Sequence, residues 1–189
     1  MILGIDIDGT LTNHIDFILE RGAEFFGKPP GMISYYMSEV FGVTEEQDWA
    51  FWHEVIWDYA KIPPREDAVR VMQQLKSDGH TLVINTKRWC PDESMKHIVH
   101  NWFVQHNIPF DVIEFAPEDG GKLAVVQKHS IQIMVDDSPD ELELLSPHIP
   151  VICFDNLYNK HIDAPRASNW DDVYEHIKIA MSMRHTQLS

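Results

Sequence analysis

The 189-residue sequence predicts an α/β fold: a doubly wound parallel sheet of about five strands, with a small helical cap inserted after the first strand. Three observations carry that expectation. Five short apolar runs, at residues 2–7, 80–86, 110–115, 131–135 and 150–154, each stop at a turn or a polar cluster. Segments with apolar residues at helical spacing separate the last four runs, as parallel pairing requires, because a parallel crossover needs a helix-length connection. Residues 14–62 break this alternation with an aromatic-rich, helix-like stretch.

The first run ends in Asp-Gly-Thr, the mark of a buried strand that stops at a turn. The insertion that follows contains Phe17, Phe25, Phe26, Tyr35, Tyr36, Phe41, Trp49, Phe51, Trp52, Trp57 and Tyr59, with no strand alternation. A Lys28-Pro29-Pro30-Gly31 turn interrupts it and Pro63-Pro64 closes it. The division expected is a core of residues 1–13 plus 63–189 and a cap of residues 14–62. Within the core, residues 65–78 place Ala68, Val69, Val71, Met72 and Leu75 at helical spacing and end at Gly79. Residues 91–107 do the same with Met95, Ile98, Val99, Trp102 and Phe103. Shorter helices are expected at 121–129 and from Ser138-Pro139 to Leu145, with a closing helix over 170–181. Strands that read as continuous apolar runs are buried on both faces. Ligands of such sheets bind at the carboxyl ends of the strands.

A net charge of −15 repels phosphate backbones, so a nucleic-acid polymer is not expected as a partner. Two isolated cysteines, Cys90 and Cys153, support neither a disulfide framework nor a zinc ribbon and suit a reducing compartment. The N-terminus has no basic region and no long apolar stretch, so no membrane partner and a cytoplasmic location are expected.

The polar residues fall where the strands end. Asp6 and Asp8 stand at i and i+2, so their side chains leave on one face, and two close carboxylates need a cation or a shared proton. Gly9 lets the chain turn sharply. By itself this could be a strand-ending Asp-Gly turn. The second run ends in Asn85-Thr86-Lys87-Arg88, with a hydroxyl and two cations, although a threonine there is also a common helix cap. Lys122 follows Gly120-Gly121 at a helix start, where the helix dipole disfavours cations. That points either to a nearby anion or to a solvated lysine. Asp136-Asp137 after the fourth run offers hard oxygen ligands suited to magnesium, while Ser138-Pro139 would also begin a helix well.

In order, the chain offers an apolar strand leading to D-x-D-G-T-L, a strand leading to a threonine, a lysine at a helix start, and a strand leading to Asp-Asp. This constellation resembles the haloacid dehalogenase superfamily of phosphatases over about residues 1–155. Asp6-Ile7-Asp8-Gly9-Thr10-Leu11 matches its first motif, Thr86 the second, Lys122 the third and Asp136-Asp137 the fourth. Within the superfamily the sequence is most similar to the 5′(3′)-deoxyribonucleotidases. The cues are the short helical insertion, Phe51-Trp52 running toward Ile62-Pro63-Pro64, Trp102-Phe103-Val104, and Val135-Asp136-Asp137-Ser138-Pro139. Motif two departs from the family pattern, with Lys87-Arg88 where Ser-Pro usually follows the threonine.

The resemblance implies a Rossmann-like core and a phosphomonoesterase acting on a small phosphorylated substrate, a 5′(3′)-(deoxy)nucleoside monophosphate. Asp6 would be the nucleophile and Asp8 the acid and base. Thr86 and Lys122 would hold the phosphoryl oxygens. Magnesium would be held by Asp6, the Asp8 main-chain carbonyl and Asp137, with Asp136 positioning. An acid two residues after the nucleophile favours phosphoryl transfer over dehalogenation, since a departing halide needs no proton. Alternatives are a phosphatase of sugar phosphates or phosphoproteins, and a catalytically silent regulator; a homodimer is left open. His97, His100 and His106 are expected on a helix surface rather than on zinc, and Cys90 is expected to be passive. The cap aromatics are expected mainly to pack, with Phe17, Tyr35, Trp49 and Trp52 the candidates for facing a substrate.

Overall fold

The N-terminal apolar run becomes β1 (Ile2–Ile5), which lies at the middle of a six-stranded sheet in the computed structural model, where residues 1–117 and 119–187 are described. The other strands are β2 (Thr81–Thr86), β3 (Val112–Phe115), β4 (Ile133–Asp136), β5 (Val151–Phe154) and β6 (Arg166–Ala167). They stand in the order β3-β2-β1-β4-β5-β6, every pair parallel. The order reverses between β1 and β4, and doubly wound sheets bind their ligands at that crevice. About five strands were expected. The sixth is a two-residue edge strand, too short to register as an apolar run, held by Cys153 N donating to Pro165 O and Asp155 N to Ala167 O, each at 2.8 Å.

The helices are α1 (Ile15–Phe26), α2 (Met37–Phe41), α3 (Glu45–Tyr59), α4 (Glu66–Ser77), α5 (Glu93–Gln105), α6 (Gly121–His129), α7 (Pro139–Leu145) and α8 (Trp170–Gln187). One face of the sheet packs Leu3, Ile5, Leu82 and Ile84 against α4, α5 and α8, through Met72, Leu75, Phe103 and Trp170. The other packs Val83, Met134 and Val151 against Val125 and Val126 of α6 and Leu142 and Leu145 of α7. Burial on both faces explains the unbroken apolar runs. A Cβ at Gly4 would lie 2.6 Å from the Met134 sulfur, so a larger residue there would force that side chain to move.

Between β1 and α4 the chain folds into α1, α2 and α3. A capping box starts α3: Gln47 N donates to Thr44 Oγ1 at 3.3 Å, and Thr44 N donates to Gln47 Oε1 at 3.0 Å. Phe26, Phe41 and Phe51 pack together with ring centroids 5.2 and 5.5 Å apart, and Phe51 is fully buried. This aromatic core is continuous with the sheet's own through Val55, Ile56 and Tyr59. An isolated antiparallel bridge, Thr12 to Pro64, ties the two ends of the insertion together. Among the described residues no helix is long and apolar enough to cross a membrane.

Candidate active site

β1 and β4 are neighbours and end level with one another, since Asp6 N donates to Val135 O at 3.0 Å. That register sets Asp6 beside Asp136 and Asp137. Lys122, the second residue of α6, is buried between them and donates through Nζ to Asp6 Oδ1 at 2.7 Å and to Asp136 Oδ2 at 2.6 Å. Its helix start is fixed by Gly120 in the left-handed region and by Asn85, whose Nδ2 donates to Lys122 O at 3.1 Å. Asp136 also takes Ser138 N, just before the next helix, on Oδ1 at 3.0 Å. Both sequence readings of the Asp-Asp-Ser-Pro stretch, acidic cluster and helix start, therefore coexist.

Asp137 accepts from Thr10 Oγ1 at 3.0 Å and from the Tyr158 hydroxyl. Gly9 passes directly under it with φ +86°, and a Cβ would fall 2.1 Å from Asp137 Oδ2. No side chain fits at that position. Asp8 faces a different partner: Arg88 donates to it from Nε at 3.0 Å to Oδ2, and from Nη2 to Oδ1. The Arg88 main-chain N–H donates to Thr86 Oγ1 at 3.1 Å, so Thr86, Arg88 and Asp8 form one connected unit.

The segment after β5 completes the floor. Asn156 Nδ2 donates to Gly9 O at 3.1 Å, and Asn159 Nδ2 donates to Asp137 O at 2.8 Å. Arg65 Nη2 reaches Gly9 O at 3.3 Å. Tyr158, Asn156, Asn159 and Arg65 carried no sequence signal, because they lie in polar loops or at a helix start and reach the site only through the tertiary fold.

Burial raises the Asp6 carboxyl well above the usual range despite Lys122, with the nearby Asp136, Asp137 and Asp8 adding to the rise. Burial and the Asp136 charge push Asp137 up to about 7. Burial works against the Lys122 ammonium, but Asp136 and Asp6 overcome it and hold the lysine charged. Three carboxylates against one ammonium leave uncompensated negative charge, and oxygens of Asp6, Asp136 and Asp137 lie within 4.8 Å of one another. A compact set of hard oxygen donors with excess negative charge fits a divalent cation such as magnesium. Asp8 behaves oppositely: burial would raise it, but the charge and hydrogen bonds of Arg88 hold it below the ordinary carboxylate range.

Above these residues is a cavity of about 600 Å³. Asp6, Asp8, Thr86, Lys122 and Asp136 line its floor, and Tyr35, Trp49, Trp52 and Tyr59 of the insertion line its roof. Of the four aromatics singled out in sequence, three line the cavity; Phe17 instead packs on Tyr59 at 5.9 Å. The insertion is joined to the floor by the Tyr36 hydroxyl donating to Asp140, by Tyr35 edge-on to Tyr158 at 5.5 Å, and by Trp49 edge-on to Trp89 at 5.6 Å. His14 is buried beside Tyr158, and burial lowers its pKa to about 4. His97 and His100 are exposed on α5, and His106 packs on Trp102 at 5.1 Å. Burial pushes the Cys90 thiol up to about 11, which leaves it a poor nucleophile.

Residues 1–184 match the model of the family described as 5′ nucleotidase, deoxy (pyrimidine), cytosolic type C protein. The chain is 27% identical over 191 residues to a candidate 5′(3′)-deoxyribonucleotidase of Chlorobaculum tepidum, covering 94% of this chain and 90% of that one. It is 30% identical over 179 residues to a candidate nucleotidase of Bacillus subtilis, covering 89% of each. Among solved structures, a haloacid-dehalogenase-superfamily hydrolase from Ehrlichia chaffeensis superposes with a TM-score of 0.57 at 15% identity, over 95% of this chain and 96% of that one. A hydrolase from Pseudomonas syringae does so with a TM-score of 0.59 at 15% identity, over 94% and 98%. At that identity the likeness speaks for the fold.

Proposed function

The chain belongs to the 5′ nucleotidase, deoxy (pyrimidine), cytosolic type C family, and from that premise we propose that it is a magnesium-dependent phosphomonoesterase of 5′(3′)-(deoxy)nucleoside monophosphates, working through an aspartyl-phosphate. The observation that carries this reading is the convergence of Asp6, Asp136 and Lys122 in one buried ion-paired cluster at the floor of the cavity.

In the proposed reaction an Asp6 carboxylate oxygen attacks phosphorus in line, the phosphorus–oxygen bond to the substrate breaks, and the alcohol leaves. Asp8 gives the leaving oxygen its proton and then takes one from the water that hydrolyses the aspartyl-phosphate. Pairing with Arg88 keeps Asp8 ionised in the unliganded protein, which suits the second of these roles directly. The first requires Asp8 to take up a proton once substrate is bound. Thr86 and Lys122 hold phosphoryl oxygens, and Lys122 offsets the charge of its partner Asp6, so catalysis is mainly positioning and neutralisation. Asp6, Asp137 and the Asp8 carbonyl, with Asp136 positioning, would hold magnesium, which would supply further charge neutralisation at the phosphoryl group. Residues 1–13 and 63–189 act as the catalytic core, and residues 14–62 as a cap whose Tyr35, Trp49 and Trp52 stack on the base and exclude water. Two free cysteines fit a reducing cytoplasm.

The test is phosphate release from a panel of nucleoside monophosphates, sugar phosphates and phosphopeptides, with magnesium and with chelator. The expected result is metal-dependent release, strongest from pyrimidine deoxynucleotides. Unselective hydrolysis would remove the substrate assignment, and no release from any member would remove the activity.

A further inference from the structure

Among the described residues, the Lys and Arg side chains lining the cavity are Lys87, Arg88 and Lys122. Lys122 is engaged by Asp6 and Asp136, and Lys87 by Glu141. Arg88 differs. Its Nε and Nη2 edge is committed to Asp8, but its Nη1, with two N–H groups, is buried and has no hydrogen-bond partner among the described residues. The side chain is only 2% exposed. The Tyr59 ring, 5.4 Å from the guanidinium carbon, offsets some of its charge but is no directional acceptor. A buried donor left unmatched is costly, and in a native protein it calls for an explanation such as a ligand that completes it.

We propose that Arg88 is a substrate-contacting residue whose Nη1 binds an anionic oxygen of the transferring phosphoryl group while its other edge holds Asp8. The inference rests on the phosphomonoesterase reading above. The local charge favours an anion as the missing partner. Asp6, Asp8, Glu45, Asp48, Asp136 and Glu141 line the cavity against three cations, so a dianionic group needs a cation with uncommitted donors. Arg88 has such donors, in the planar fork that matches both a carboxylate on one side and a phosphoryl group on the other. Position points the same way: Arg88 is bonded to Asp8, two residues from Asp6, and its main chain is bonded to Thr86. Because Nη1 is covered in the unliganded protein, the guanidinium reaches the phosphoryl group by pivoting on its Asp8 anchor. The Lys87-Arg88 pair that departs from the usual second motif thereby gains a role.

The experiment compares wild type, Arg88→Met and Arg88→Lys by competitive inhibition of aryl phosphate hydrolysis with inorganic phosphate, alongside KM, kcat and thermal midpoint. Arg88→Met is expected to weaken phosphate inhibition roughly 10- to 100-fold, the loss typical of one charge-assisted contact. Arg88→Lys should recover part of it. Phosphate inhibition within twofold of wild type in a folded, active Arg88→Met, with only kcat reduced, would show that Arg88 merely orients Asp8. Should Arg88→Met not fold, Arg88→Lys keeps a charge against Asp8 and carries the test. A single ammonium cannot serve both partners, so about a tenfold loss is expected, and an unchanged constant overturns the proposal. A wild type that hydrolyses no phosphomonoester would defeat the functional reading instead, which keeps the two failures apart.

Discussion

On the floor of the cavity charged groups are held by named partners: Lys122 by Asp6 and Asp136, Asp8 by Arg88, and Asp137 by the hydroxyls of Thr10 and Tyr158. The roof is built differently. Trp49 and Trp52 present rings, and the Asp48 carboxylate there keeps one buried oxygen without a partner among the described residues. The floor is a preorganised electrostatic device mounted on strand ends, rigid because the sheet is rigid. The roof is an aromatic surface on short helices, suited to choosing what enters. Chemistry and selectivity should therefore fail separately when each wall is altered.

The largest separation is expected for Asp6→Asn. Turnover should fall by about 10⁴-fold or more while the circular dichroism spectrum and substrate binding persist, because the change is isosteric and relieves carboxylate repulsion. Wild-type turnover in that variant would break the contrast outright. Lys122→Met comes next. It strands Asp6 and Asp136 in the interior, and breaking a buried pair costs about 3–5 kcal/mol, readable as a drop in urea midpoint with loss of activity. A stability unchanged in the absence of metal would mean that the floor is not held together by its charges.

His14 lies where floor meets roof, against Tyr59 and Tyr158. Its pKa is about 4 in the folded protein against 6.5 when exposed. Above 6.5 neither state is protonated. As pH falls from 6.5 toward 4 the unfolded chain takes up a proton that the folded protein does not, so stability is lost across that window, by about 3 kcal/mol in all. His14→Asn should flatten the acid side of the stability profile relative to wild type; parallel profiles would contradict the burial of a neutral imidazole. The smallest effect belongs to the roof: Trp49→Ala should raise KM for a nucleotide about tenfold, roughly 1.4 kcal/mol, with a smaller change in kcat. An equal loss in kcat would mean that the roof also shapes the chemical step.

The same contrast explains what could be read from the sequence. Asp6, Asp8, Thr86, Lys122, Asp136 and Asp137 were legible because each follows an apolar strand or opens a helix, so local pattern marks the end of the sheet on which they sit. Tyr158 and Asn159 were not, because residues 155–165 form a polar loop with no period, and their contacts with Asp137 span about twenty residues of sequence. β6 escaped for a similar reason: two residues cannot show a pattern. The bidentate hold of Arg88 on Asp8 bridges 80 positions, and only the pairing of β1 with β2 brings them together. In the insertion, aromatic content announced helices and a packed core, but which rings turn toward the cavity depends on helix orientation.

The central claim is that Asp6 carries the phosphoryl group during turnover. The most direct measurement is mass analysis of the protein quenched in acid during steady-state hydrolysis of its best substrate, with and without magnesium. One added phosphoryl group on the peptide containing Asp6, seen with magnesium and lost with chelator, is the expected result. Continued phosphate release from a protein that never carries that group, or carries it on another residue, would contradict the claim.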